Sequence, residues 1–76
     1  MAKTQSKFLV VCVNNDGYGA SLEKRKIYVA LRDPAGEKHG LLRVIDESGD
    51  DYLYPKPLFR SLELPLSVKR AILAAA

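Results

Sequence analysis

The sequence predicts a mainly β fold: a small, strongly bent antiparallel barrel of about five short strands, closed by a short C-terminal α-helix. Three observations carry this. Short apolar stretches rich in Val, Ile, Leu and Tyr recur along the chain, separated by Gly, Pro, Asn and Asp at roughly 8–12-residue spacing, the pattern of small barrels. One stretch, Lys26–Arg32, alternates with a period of two, as a half-buried strand does. After Pro65, the segment Leu66–Ala75 places apolar residues at helical spacing.

At 76 residues the chain makes one domain, 1–76, with the barrel over about 7–64 and the helix over about 65–75. A chain this short buries only roughly 60% of its unfolded surface, so its core is thin. With 47% hydrophobic and 28% charged residues it is globular rather than disordered. The longest apolar run, Phe8–Val13, is far short of the roughly 20 residues that span a bilayer, and it is too short for a secretory h-region. A cytoplasmic protein without membrane association is expected. The single cysteine, Cys12, forms no internal disulfide, which suits a reducing compartment. It lies inside the apolar run and reads as a buried structural thiol, since reactive thiols need an electropositive, polar setting.

The first strand is expected over Lys7–Asn14, apolar on both faces. Asn14–Ser21 follows as a long irregular loop of Asn, Asp and Gly, with Leu22 pinning it to the core. In the second strand, Lys26–Arg32, Ile27, Val29 and Leu31 form one face. Asp33–Gly40 breaks the pattern, with room for a single helical turn over Ala35–His39 capped by Gly40. Leu41–Asp46 and Asp51–Tyr54 form a hairpin across Glu47–Asp50, in which Gly49 supplies a positive φ. Pro55 and Pro57 mark a 3₁₀ corner, and Phe59–Leu64 returns as the last strand. In the helix, Val68, Ile72 and Ala75 share one face while Lys69 and Arg70 look outward.

The order of elements resembles an SH3-like barrel. The segments that carry the resemblance are Leu22–Val29, Leu42–Gly49, and Tyr52-Leu53-Tyr54-Pro55 with Phe59 soon after. Over Lys7–Leu64 the chain is similar to small bacterial and phage-type proteins of unassigned function. The resemblance implies a fold and leaves activity open. Compared with signalling SH3 domains the match is partial: Tyr18 sits in the long loop and Pro57-Leu58-Phe59 at the late turn, but the chain has no tryptophan, which argues against polyproline recognition.

The remaining residues offer no catalytic machinery. His39, the only histidine, has no second ligand at metal spacing. Nothing brings Cys12 and His39 together as nucleophile and base. The acidic residues Asp46, Glu47, Asp50 and Asp51 lack the spacing of a calcium loop, and Gly17-Tyr18-Gly19 lacks the Lys-Ser/Thr of a phosphate loop. No catalytic residue, metal or cofactor is therefore assigned.

The net charge of +3 is laid out unevenly: a basic triplet, Lys24-Arg25-Lys26, and the acidic patch Asp46–Asp51. The leading expectation is a non-enzymatic protein-interaction module, a monomer or weak dimer, that contacts a protein partner through Tyr18, Tyr52, Lys56 and Pro57, which lie on loops and corners where binding residues gather. The alternative is a nucleic-acid-binding barrel using Lys24, Arg25, Lys26 and Lys56 with neighbouring tyrosines as stacking faces. The terminal helix is expected to dock on the barrel; Leu66, Val68, Ile72 and Leu73 give it more apolar surface than one docking stripe needs, and the alternative is a partner or dimer contact.

Overall fold

A computed structural model of the chain describes residues 6–75. Five strands form one antiparallel sheet: β1 (Lys7–Cys12), β2 (Ile27–Leu31), β3 (Leu41–Ile45), β4 (Asp51–Pro55) and β5 (Phe59–Ser61). Its order is β4-β3-β2-β1-β5. A short helix, α1 (Pro34–Lys38), joins β2 to β3, a 3₁₀ turn (Lys56–Leu58) joins β4 to β5, and α2 (Leu66–Ala75) ends the chain.

The sheet is open where a closed barrel was expected: β4 and β5 are its two edges, and no ladder joins them among the described residues. Only the three residues of the 3₁₀ turn separate them in sequence, so the sheet must curl until its edges approach. Pro55 and Pro57 in that corner lack the N–H groups a ladder would need.

The curl encloses a core of Val10, Cys12, Leu22, Tyr28, Ala30, Leu42, Val44, Tyr54, Leu58 and Phe59. β1 is covered on both faces as expected: Val10 and Cys12 enter this core while Leu9 is buried on the other side. In β2 the alternation holds but its phase is reversed from the expectation. Tyr28 and Ala30 face the main core, Val29 and Leu31 are buried on the opposite face, and Ile27 is exposed. Tyr28 can point inward because its hydroxyl finds partners, donating to Glu47 and accepting from the Glu23 N–H at 2.7 Å.

The long loop is anchored as the sequence suggested. Leu22 has no exposed surface, and the Ser21 carbonyl accepts from the Glu47 N–H at 3.1 Å, tying the loop to the β3–β4 turn. Asp33 caps α1 by accepting from the Gly36 N–H. In the β3–β4 turn Gly49 has φ +89°. Gly49→Ala is expected to cost about 1 kcal/mol in chemical denaturation, because a Cβ disfavours that region; an unchanged denaturation midpoint would contradict this.

α2 has the bounds the sequence indicated, but no residue of it is buried. The expected face of Val68, Ile72 and Ala75 is corrected: Lys69, Ile72 and Leu73 are half-covered, while Val68 is exposed. Lys69 lines a groove together with Leu9, Leu62 and Leu64. No helix among the described residues is long and apolar enough to cross a membrane.

Candidate functional site

The four residues expected to contact a partner fall into two places. Tyr18 and Tyr52 line one open groove of about 390 Å³, together with Ser21, Asp46, Ser48, Leu53 and Tyr54. Lys56 and Pro57 line a separate groove of about 600 Å³ with Gly40, Phe59, Arg60 and Ser61.

The first groove is built from three elements. β4 supplies Tyr52, Leu53 and Tyr54; the β3–β4 turn supplies Asp46 and Ser48; the anchored loop supplies Tyr18 and Ser21. Tyr54 is buried, and the Tyr18 ring packs edge-on against it with centroids 5.1 Å apart. The loop helps to place Tyr18 through its own turn: the Tyr18 N–H donates to the Asn15 carbonyl, and the Tyr18 carbonyl accepts from the Ser21 and Leu22 N–H groups. Tyr18 is 37% exposed and Tyr52 52%, so both keep ring surface facing water above a fixed floor.

That floor holds a charge. Asp46 is only 7% exposed. One carboxylate oxygen accepts from the Ser48 N–H at 2.9 Å and the Ser48 hydroxyl at 2.6 Å; the other accepts from the Tyr54 hydroxyl. Burial by itself would push the Asp46 carboxyl up, but these donors, Ser48 first, outweigh it and hold the group below the usual carboxylate range. Asp46 is therefore ionised at neutral pH. Burial, and then the hydrogen bond to Asp46, push the Tyr54 hydroxyl up, so it stays a donor.

The acidic patch is thus not one surface but several separately partnered groups. Glu47 pairs with Lys26 at 2.6 Å and accepts from the Tyr28 hydroxyl, and Lys26 first and Tyr28 second hold its carboxyl low. Arg43 bridges Asp33 at 2.8 Å and Asp51 at 3.1 Å. Among the described residues no group of three His, Cys, Asp or Glu side chains is placed to hold a metal ion.

The basic triplet is divided in the same way. Lys26 is taken up by Glu47 and lies 3.7 Å from Glu23. Arg25 turns the chain with φ +73°, its N–H donating to the Cys12 carbonyl. Lys24 and Arg25 stay exposed, and the two grooves that Lys56 lines include none of the triplet among their walls.

Sequence reasoning missed Asp46, Tyr54 and Leu53 as groove residues. The available signal was the hairpin itself: once Leu41–Asp46 and Asp51–Tyr54 pair, Tyr52 and Tyr54 share a face and Asp46 sits at its end. Compared with protein-family models, with curated proteins and with solved structures, the chain gives no match.

Proposed function

We propose that this chain is a non-enzymatic protein-interaction module, a partly open SH3-like barrel acting in the cytoplasm, whose main contact surface is the Tyr18–Tyr52 groove. One observation carries the reading: two tyrosines far apart in sequence converge on one groove with their rings half in water. Exposed rings on a fixed backbone supply large contact area with little ordering entropy to lose, which is why tyrosine is frequent at binding surfaces. The groove is open rather than enclosed, which suits the side chains of a peptide or protein better than a small molecule that needs most of its surface covered. Lys56 and Pro57 would form an accessory contact.

The nucleic-acid alternative has less support. Lys26 is already neutralised by Glu47, and the tyrosines that would stack bases stand beside the ionised Asp46, which repels phosphate.

A displayed library of random decapeptides, selected against the folded protein, tests the proposal. Enriched peptides are expected to shift the amide signals of Tyr18, Ser21, Ser48, Tyr52 and Leu53, and to bind Tyr52→Ala about tenfold more weakly. Selection that enriches nothing, or shifts spread over the whole sheet, would reject it.

A further inference from the structure

Asp46 has an unusual place among the acidic residues. It is a buried, ionised carboxylate whose protein partners are all neutral: the Ser48 N–H, the Ser48 hydroxyl and the Tyr54 hydroxyl. The ion pairs among the described residues join Lys26 to Glu23 and Glu47, Arg32 to Glu37, and Arg43 to Asp33 and Asp51; none reaches Asp46. Its charge therefore stands without a counter-ion in the wall of a groove lined otherwise by three tyrosines, Ser21, Ser48 and Leu53. Aromatic ring faces carry negative potential and attract cations, and a ring whose hydroxyl donates to a carboxylate, as Tyr54 does, is more electron-rich still.

The edge of the sheet adds a second, independent feature. β4 is a terminal strand, hydrogen-bonded only to β3. In that ladder the Lys56 N–H donates to the Gly40 carbonyl at 2.9 Å and the Asp46 N–H to the Asp50 carbonyl at 3.1 Å. Both pairs continue the register that sets Leu42 opposite Tyr54 and Val44 opposite Tyr52. Hydrogen-bonded pairs alternate along an antiparallel ladder, so the groups of Tyr52 and Tyr54 are used toward β3. Those of Asp51 and Leu53 point away from β3, along the free edge beside the groove. An unpaired edge of this kind is a template for an added strand.

We infer that the Tyr18–Tyr52 groove receives the lysine or arginine side chain of an extended basic segment of a partner protein, laid along the free edge of β4. This rests on the interaction-module reading and names its partner by chemistry. The backbone of the segment pairs with Leu53 and Asp51, and one cationic side chain reaches between Tyr18 and Tyr52 toward Asp46. The exposed Asp50 carboxylate in the same turn favours the approach of a positive segment, while Asp51 is already paired with Arg43.

The probe is a blocked pentapeptide with a central lysine and valines on either side, compared with a peptide of the same shape carrying norleucine at the centre. Both are titrated into the labelled full chain. The lysine peptide is expected to bind at least about tenfold more tightly, with shifts at Tyr18, Asp46, Tyr52 and Leu53, and raised salt is expected to narrow the gap. Asp46→Asn should remove most of the preference, and Tyr52→Ala, which changes an exposed residue, should weaken the lysine peptide without unfolding the protein. Equal binding of the two peptides overturns the inference. So does a preference retained in Asp46→Asn, or concentration-dependent shifts of the same amides without peptide, which would make the occupant a second copy of the chain. If the decapeptide selection yields Tyr52-dependent binders that are neutral or acidic, the cation assignment fails while the module reading stands; if it yields nothing, both fail.

Discussion

Leu22→Ala is expected to leave most molecules unfolded at room temperature. Leu22 is wholly buried and belongs to the main core, yet it comes from the long loop rather than from a strand. Truncating a buried leucine costs about 2–5 kcal/mol, from lost transfer energy and from the cavity left behind. A domain of this size rarely has more than about 3–5 kcal/mol from its core. The loss should also release the Ser21–Glu47 tie and with it the position of Tyr18. Leu22→Met, which conserves volume, should cost less than about 1.5 kcal/mol, and Leu66→Ala, at a site 60% exposed, should stay within about 0.5 kcal/mol of the parent. Urea denaturation followed by circular dichroism ranks the three. A Leu22→Ala protein as stable as Leu66→Ala would show that the loop is not part of the core.

The second large effect concerns Asp46. Asp46→Ala removes the acceptor of the buried Tyr54 hydroxyl and of the Ser48 donors, and an unsatisfied buried group costs about 1–3 kcal/mol. Tyr54→Phe in the same background should recover part of that loss, because the orphaned hydroxyl goes with it. The pH dependence follows from direction alone. Asp33, Asp46 and Glu47 all have folded-state carboxyls below their ordinary range. Groups depressed in the folded state stabilise it fully above their unfolded values of about 4, and the contribution disappears as pH falls through the folded values. Stability should therefore be level between about pH 5 and 7 and decline below about 4. The decline should be shallower in Asp46→Ala. An acid limb of unchanged slope in that variant would mean that folding does not lower the Asp46 carboxyl.

Much of the local structure was legible. The helix over Leu66–Ala75, the glycine turn at Gly49, the 3₁₀ corner after Pro55 and the β3–β4 hairpin all lie where proline, glycine and apolar spacing put them. These features depend on φ restrictions and on short-range hydrogen bonds, which neighbouring residues decide. The inward face of β2 was misread because Ile27, Val29 and Leu31 are the more apolar set. Tyr28 takes an inward place only because Glu47 and Glu23, distant in sequence, satisfy its hydroxyl. The helix face differs for a similar reason: a long lysine stem can be covered as readily as a valine, and which residue is covered depends on what the helix lies beside.

The candidate site divides along the same line. The sequence alone determined that Tyr18 and Tyr52 lie in segments suited to contact, a loop and a short strand, because composition and turn chemistry are local. The runs of like charge along the chain, Lys24–Lys26 and Asp46–Asp51, were legible too, though not how they are partnered. Only the tertiary structure decided that these two tyrosines share a groove while Lys56 and Pro57 do not, that Lys26 is spent on Glu47, and that Asp46 keeps a charge without a counter-ion. Those outcomes depend on strand register and on the curl of the sheet, which bring together atoms from residues 18 to 54. Electrostatic pairing and burial act across space over a few ångströms, and spacing along the chain does not encode that distance.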